Sequence, residues 1–297
     1  MIPSLYTAVS ALKADQQYMS VVANNLANVN TVGFKGSRAL FADTLSQTMR
    51  APAASTATSG GGNGIQIGLG TVIQSVTPTF TQGSLQATGV NTDLAIEGGG
   101  FFVVQNVGTK TNTFTRNGAF TVDNLGNLIT QTGEQVLGSA WTGGPPPNTA
   151  PVLGAALTPI NIPTSEIIGG VPVPVTGFNI DAQGNVVLSM QDGSTWNLAA
   201  VGLENFSNPE GLLKVGDNMY QSTAAAGILF GTAAAPTFAP IGTNGLGNER
   251  SGYLEMSNVD LSQEFSNMIV AQRGLEANAR TITSSDEILQ DLISLKR

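Results

Sequence analysis

Paired carboxylates are the residues of this sequence best suited to acid–base chemistry. Asp93 and Glu97 lie four residues apart, and two carboxyl groups close together could act as the acid and the base of a glycosidase. Such an enzyme needs aromatic side chains on which a sugar can rest, and the chain has only two Trp and four Tyr. An extracellular β-rich carbohydrate-active enzyme is therefore kept only as an alternative.

Three glycine-containing segments could be taken for metal or phosphate sites. The repeats Asp123-x-x-Gly-Asn127 and Asp181-x-x-Gly-Asn185 lack the regularly spaced acidic residues of a calcium loop. Residues 64–71, Gly-Ile-Gln-Ile-Gly-Leu-Gly-Thr, include no lysine and precede no predicted helix, unlike a phosphate-binding loop. We interpret all three as structural turns. The sequence predicts no catalytic residue, no metal site and no cofactor.

Two chemically versatile residue types are missing from the chain. It has no Cys, which removes disulfides and thiolate chemistry, and no His, which removes the commonest general base. The formal net charge of −8 argues against a nucleic-acid-binding surface. No apolar run reaches about 18 residues, and the N-terminal residues lack a basic segment followed by an apolar core. The sequence therefore predicts neither a membrane span nor a cleaved signal peptide.

The negative charge is concentrated in the middle of the chain. Residues 117–249 hold nine acidic residues and one basic residue, Lys214, whereas residues 1–116 carry a net charge of +2 and residues 250–297 one of −2. Complementary ends favour two arms that lie against each other. An acidic middle favours an exposed, solvated head.

Both ends of the chain repeat apolar residues every seven positions, which is the spacing of a coiled-coil seam. Such a thin stripe buries little surface within one chain, so it favours packing against the helices of other subunits. Ordinary amphipathic helices that cap a globular core are the alternative. The C-terminal helix is predicted to begin at Ser257. The predicted seam consists of Leu5, Leu12, Met19, Val22, Leu26 and Val29 at one end and Leu261, Phe265, Met268, Leu275, Ile282 and Leu289 at the other.

A cluster of asparagines lies where the first stripe ends. Asn24, Asn25 and Asn28 precede Gly33, which is predicted to break the helix and, with Phe34, to form a hinge or turn. Buried amides in this position could fix the register between subunits, as a polar residue does in a coiled-coil seam. A simple cap and turn is the other interpretation.

The middle of the chain has the pattern of short antiparallel strands. Residues 120–129 and 178–187 each consist of an alternating strand, an Asp-x-x-Gly-Asn turn and a second strand, which predicts two hairpins. The predicted fold class is α+β: terminal α-helices in an intersubunit coiled-coil layer, with a central antiparallel β domain. The predicted boundaries are a helical domain of 1–45 with 257–297, a linker or strap of 46–70 with 246–256, and a β domain of 71–245 with a loop-like excursion at about 140–177.

The two ends resemble a known family. Residues 23–35, Ala-Asn-Asn-Leu-Ala-Asn-Val-Asn-Thr-Val-Gly-Phe-Lys, are similar to the N-terminal signature of the bacterial flagellar rod and hook proteins. Residues 257–264 and 268–273 resemble their C-terminal signature, and the likeness covers roughly residues 1–140 and 178–297. It implies a non-enzymatic subunit that leaves the cell through the flagellar type III export apparatus without a cleaved signal. It also implies a hollow helical tube with the terminal helices on its inner wall.

The residues of these signatures indicate which member of the family the chain resembles. Ser257-Asn-Val-Asp-Leu-Ser and Met268-Ile-Val-Ala-Gln-Arg273 are more similar to hook proteins, whereas residues 46–64 occupy the place of an insertion associated with the stiff distal rod. We therefore expect a short hook protein, with the distal rod protein as the alternative and an adhesin as a further possibility. The expected partners are copies of the chain, flagellar rod, hook-cap and hook–filament junction proteins, and the export apparatus. The expected location is the cell-surface or extracellular flagellum.

Overall fold

The computed structural model describes residues 2–56, 60–141, 156–168, 171–181, 183–233, 235–239 and 245–295. The chain divides into two compact units. The terminal unit comprises the described residues of Met1–Asn28, Gly36–Thr79 and Val259–Arg297, and the central unit comprises those of Val29–Lys35 and Phe80–Asn258. Helices at both ends and antiparallel strands between them confirm the predicted α+β class.

Two long helices carry the seven-residue repeats. Helix α1 spans Ile2–Ala27 and helix α2 spans Leu261–Ser294. The second helix begins later than predicted because Asp260 caps it: its carboxylate accepts from the backbone N–H groups of Ser262 at 2.8 Å and Gln263 at 3.2 Å. Val29 was predicted to belong to the helical seam, but it lies beyond the end of α1, in a turn.

The strands of the terminal unit form two antiparallel pairs. Strand β1 pairs with β4, and β2 pairs with β3. The second pair lies inside residues 46–70, which the sequence predicted as a linker. There, Gln47, Met49, Ile65 and Ile67 supply the alternating side chains of a short hairpin. Residues 57–59 of the predicted strap lie outside the described residues. The bounds are β1 (Ser37–Asp43), β2 (Ser46–Arg50), β3 (Ile65–Gly68) and β4 (Thr71–Pro78).

The central unit is built of antiparallel strands. Strands β7 to β19 form one sheet, along which β13, β14, β15, β16, β11, β7, β8, β19 and β18 lie in that order. Two further pairs, β5 with β21 and β6 with β20, join residues before and after that sheet in sequence. The bounds are β5 (Leu85–Ala87), β6 (Leu94–Glu97), β7 (Phe101–Gln105), β8 (Asn112–Thr115), β9 (Phe120–Val122), β10 (Leu128–Thr130), β11 (Gln135–Ala140), β12 (Thr158–Pro159), β13 (Ser165–Ile168), β14 (Val171–Ile180), β15 (Asn185–Met190), β16 (Thr195–Val201), β17 (Leu203–Glu204), β18 (Leu213–Gly216), β19 (Met219–Gln221), β20 (Asn248–Ser251) and β21 (Tyr253–Glu255).

Strand β7 is buried on both faces. Phe102 and Val104 join one apolar cluster, whereas Phe101 and Val103 join another, because successive side chains of a strand point to opposite sides. Phe101 makes edge-to-face contacts with Phe206 and Tyr220, with ring centroids 5.6 and 5.8 Å apart. The central unit therefore has a dense, aromatic core.

The two Asp-x-x-Gly-Asn segments adopt matching turns, which confirms both predicted hairpins. Asp123 Oδ1 accepts the backbone N–H of Asn127 at 2.7 Å, and its Oδ2 accepts the side-chain amide of the same residue. Asp181 makes the same two bonds with Asn185, at 2.8 and 2.9 Å. Both carboxylates are therefore engaged in hydrogen bonds that stabilise the turns.

The segment at about 140–177, predicted as a loop-like excursion, includes strands β12 and β13 and the first half of β14. Residues 142–155 and 169–170 of this prediction lie outside the described residues. Residues 171–174 of β14 pair with β13, whereas residues 175–180 pair with β15. Pro172 and Pro174 both lie in the half next to β13, where an alternating run of valines favours a strand despite the missing N–H groups.

Candidate functional site

Helices α1 and α2 pack against each other in antiparallel directions within the terminal unit. The side-chain amide of Asn25, near the end of α1, donates to Glu264 Oε1, near the start of α2, at 3.0 Å. In the middle of the pair, Asn278 Nδ2 donates to Asp15 Oδ2 at 2.9 Å. Leu5 lines a cavity together with six residues of α2: Ile282, Thr283, Asp286, Glu287, Leu289 and Gln290. The two signature regions of the sequence are thus joined directly.

The predicted seam residues divide by burial. Val22 is 1% exposed, whereas Leu261 and Phe265 are 44% and 51% exposed. The remaining helical seam residues are half-buried: Leu5, Leu12, Met19, Leu26, Met268, Leu275, Ile282 and Leu289. Part of the stripe therefore faces the chain's own terminal unit. The assembly role of these residues stays a prediction.

Further apolar side chains of the terminal unit lie open to solvent. On α2, Val270 is 67% and Ile293 is 68% exposed. Beside and within the β2–β3 hairpin, Leu45 is 83% and Met49 is 62% exposed. Clusters of exposed apolar residues are typical of surfaces that bind another protein chain. The sequence repeats had indicated Ile293 but not Val270, Leu45 or Met49.

The three predicted asparagines occupy different environments. Asn25 is 3% exposed, and besides Glu264 it bonds the backbone of Ser37, donating to its C=O at 2.8 Å and accepting from its N–H at 2.9 Å. Asn24 is exposed, and Asn28 is half-buried and donates to the Asn24 carbonyl at 2.9 Å. The structure thus gives Asn25 partners in its own chain, and a register role between subunits stays a prediction.

The predicted turn at Gly33 and Phe34 has a specific steric cause. Gly33 has φ of +68°, and a Cβ at this position would lie 2.7 Å from the carbonyl carbon of Arg116 and from the nitrogen of Asn117. Only glycine fits at this position, because another backbone segment lies too close for a Cβ and because φ is in the left-handed region. Phe34 is buried, with the Lys214 ammonium 4.9 Å from its ring centroid.

Next to this turn lies a buried charge cluster that sequence reasoning missed. Lys35 Nζ donates to Glu255 Oε1 at 2.6 Å and to the Thr81 carbonyl at 2.9 Å. Arg116 Nη1 reaches Glu255 Oε2 at 3.3 Å, and the backbone N–H of Gly83 donates to Glu255 Oε1 at 2.9 Å. Burial lowers the pKa of Lys35 and of Arg116, and the Glu255 carboxylate opposes both shifts.

The cluster joins parts of the chain that are far apart in sequence. The segment 29–35, residues 81–83 and strand β21 each contribute, and the Gly33 N–H also donates to the Glu255 carbonyl at 2.7 Å. An isolated buried charge costs far more than a paired one, so each member depends on the others. Lys35 is the last residue of the signature at 23–35, but nothing in the sequence identified Glu255 or Arg116 as its partners.

Two other glutamates of the central unit are buried with no cation beside them in the described part of the chain. Glu249 is 1% exposed, neither of its carboxyl oxygens has a hydrogen-bond partner among the described residues, and burial, aided by Asp181, raises its pKa to about 8. Burial also raises the pKa of Glu204 to about 8, although the N–H groups of Phe230 and Asn205 donate to its Oε1. Both carboxyl groups therefore hold their protons at neutral pH.

The described residues contain no metal-ligand cluster and no candidate membrane-spanning helix. Within those ranges, no three acidic side chains come together in a way that could hold a metal ion. Neither of the two helices is long and apolar enough to span a bilayer. The features that stand out are the helix pair, the exposed apolar surface and the buried charges.

Family comparisons account for both ends and the middle of the chain. Residues 5–35 match the flagella basal body rod protein family, and residues 250–295 match the flagellar basal body rod FlgEFG protein C-terminal family. Residues 95–188 match the flagellar hook protein FlgE/F/G D1 domain. The first two matches include the signatures that carry the sequence resemblance.

Relatives of full length agree with these matches. The chain is 41% identical to the flagellar basal-body rod protein FlgG of Bacillus subtilis over 297 residues, covering 100% of both chains. It is 35% identical to FlgG of Borreliella burgdorferi over 301 residues, again covering 100% of both. The flagellar hook protein FlgE of the same organism is 27% identical over 451 residues, covering 100% of each chain. The chain belongs to the family of bacterial flagellar rod and hook proteins.

Proposed function

We propose that this chain is the structural subunit of the distal flagellar rod, a part of the basal body. The observation that carries the proposal is the alignment with Bacillus subtilis FlgG. That alignment is 297 residues long, which is the full length of this chain. The alignment with the Borreliella hook protein extends over 451 residues, so it needs long gaps. This balance favours the rod over the hook that the signature wording had suggested.

The terminal unit supplies the surface that a polymer of this kind requires. Leu261, Phe265, Val270 and Ile293 are exposed apolar side chains on α2, and contact with neighbouring copies would remove them from water. The half-buried seam residues complete the same assembly surface. In this proposal the subunit has no catalytic role, and its partners are other copies, adjoining axial proteins and the export apparatus.

Deleting the gene from the native organism tests the proposal. If the chain builds the distal rod, purified basal bodies will lack a complete rod and carry no hook in electron micrographs. If it builds the hook, a complete rod will remain without a hook. Tubes assembled from the purified chain give a second criterion, because a drive shaft must be straight and a hook must bend. Curved tubes would favour the hook.

A further inference from the structure

The apolar seams alone do not determine how the two terminal helices align. Leu12 and Met19 on α1, like Leu275 and Ile282 on α2, repeat every seven residues. Sliding one helix past the other by seven residues, about 10.5 Å, would place similar apolar residues opposite one another again. A residue that breaks this equivalence is needed if the helices are to pair in one register.

Asp15 lies where it can distinguish one register of the helix pair from the others. It interrupts the apolar stripe of α1, is half-buried, and accepts the side-chain amide of Asn278 at 2.9 Å. Opposite it lies Gly274, where a Cβ would come within 3.2 Å of Asp15 Oδ2. A glycine inside a long helix costs about 1 kcal/mol relative to alanine, so this glycine needs a reason, and the close approach of the carboxylate supplies one.

We propose that Asp15 specifies the register of the α1–α2 pair within one chain. It does so through its hydrogen bond with Asn278 and its close approach to Gly274. The proposal does not depend on which segment of the flagellar axis the chain builds. It concerns a positioning residue, whose effect is to exclude alternative alignments rather than to add affinity.

The two neighbouring registers both fail at this point. In one, Asn278 and Gly274 are replaced by Ala271 and Asn267, so the half-buried carboxylate faces a methyl group and a larger side chain replaces the glycine. In the other, Ser285 and Thr281 take these places, and the β-branched Thr281 fills the space that the carboxylate needs. The first shift removes the donor of a half-buried carboxylate, which is costly, and the second crowds that carboxylate, so both shifts are disfavoured.

Asn25 penalises the same shifts from the end of the pair. In the observed register its amide meets Glu264. One shift by seven residues would place Ala271 there, and the other would place Ser257, which precedes the helix. Because Asn25 is 3% exposed and its amide would keep only the Ser37 carbonyl as an acceptor, its second N–H would be buried without a partner.

Spin-label distances across the pair test the proposal directly, because the chain has no native Cys. Labels are placed at two exposed sites, with Lys13→Cys on α1 and Arg280→Cys on α2. Pulsed electron paramagnetic resonance is recorded on the monomer and on tubes diluted with unlabelled chain. We expect one narrow distance distribution for the parent. Asp15→Leu should add a second population displaced by up to about 10 Å, whereas Asp15→Asn should keep the parent distribution.

The matched control is Gln16→Leu, which adds the same side chain at an exposed site of the same helix. An unchanged distribution in Asp15→Leu would overturn the proposal, and so would an equal second population in Gln16→Leu. Loss of any defined distance in Asp15→Leu would also overturn it, since Asp15 would then be needed for pairing itself. A parent without a defined distance in either sample would show that the helices do not pair in a fixed register.

Discussion

The two units of this chain bury their apolar side chains to very different extents. In the central unit, Phe101, Phe102, Val103 and Val104 are all no more than 1% exposed. In the described part of the terminal unit, the buried apolar side chains are three alanines and one valine: Ala8, Ala14, Ala271 and Val22. Its larger apolar side chains are half-buried or exposed, and Leu45 and Ile293 are 83% and 68% exposed.

This difference indicates two sources of stability. We expect the central unit, with its buried apolar core, to fold as an independent domain. The terminal unit buries fewer large apolar side chains, and under the proposed function neighbouring copies would cover the apolar surface of its helices. The central unit should therefore respond to substitutions as a folding domain does, and the terminal unit as an interface does.

Disruption of the terminal surface should give the largest effect. If α2 packs against neighbouring copies as proposed, Phe265→Asp would place a charge in that contact, at a cost of several kcal/mol. We expect the critical concentration for tube formation to rise by at least about tenfold, measured by sedimentation. Tryptophan fluorescence should be unchanged, because Trp141 and Trp196 both belong to the central unit.

Phe265→Leu is the control for that substitution, since it keeps an apolar side chain and should allow assembly. Normal tubes from Phe265→Asp would mean that this side of α2 faces solvent in the polymer. Leu275→Asp extends the test to a half-buried seam position. It should also block assembly.

Loss of the buried anion should give the largest effect within the central unit. Glu255→Ala leaves Lys35 and Arg116 buried without their counter-ion and should lower the free energy of unfolding by about 3–5 kcal/mol. Urea unfolding followed by tryptophan fluorescence measures this loss. Glu97→Ala removes an ion pair with Arg250 in which both side chains are about half exposed, and should cost less than about 1 kcal/mol. Equal losses would mean that the cluster adds no more than a surface pair.

The protonated Glu249 predicts a pH dependence of stability. Its pKa rises from 4.5 to about 8 on folding, so the folded state holds a proton that the unfolded state releases. This contribution is complete below about pH 4.5 and is lost as the pH rises to about 8, by roughly 2–5 kcal/mol.

Glu249→Gln isolates this contribution, because its amide stays neutral. The variant should match the parent near pH 4.5 and become more stable than the parent above pH 8. Glu210→Gln, a substitution at an exposed carboxyl group, serves as the control. A constant difference between the Glu249→Gln variant and the parent across this range would contradict the proton assignment.

A pair of glycines provides the smallest and most local comparison. Gly33 and Gly89 have φ of +68° and +71°, but only Gly33 has backbone atoms where a Cβ would go. Gly89→Ala should cost about 1 kcal/mol for its backbone conformation alone. Gly33→Ala should cost about 2–3 kcal/mol because the Arg116 backbone must also move. Equal losses in urea unfolding would show that the turn yields without strain.

The sequence predicted those elements whose signals are local. Seven-residue spacing identified both helices, and the repeated Asp-x-x-Gly-Asn identified both hairpin turns, because each pattern lies within one element. The hairpin formed by β2 and β3 was missed because the intervening residues 51–64 have the composition of a linker. Its short strands gave too weak a signal to outweigh that composition.

The buried contacts could not be predicted in this way. Lys35 and Glu255 are 220 residues apart, and Asn25 and Glu264 are 239 residues apart. Periodicity describes which face of an element is apolar, but it does not say which distant residue a polar side chain will meet. Asp15 illustrates the limit: the sequence marked it as an interruption of the stripe, and only its contact with Asn278 indicates a role.

If the chain is exported through a channel, as the proposed function implies, the discontinuous make-up of the terminal unit has a consequence for its folding. Helix α1 occupies the first residues and helix α2 the last, so whichever end emerges first must wait for the other. The central unit needs nothing beyond residue 258 and can fold sooner. A prematurely ended chain would still form a stable central domain but would have no partner for α1. Under the proposed function, α1 can therefore pair with α2 only after the residues of both helices have emerged.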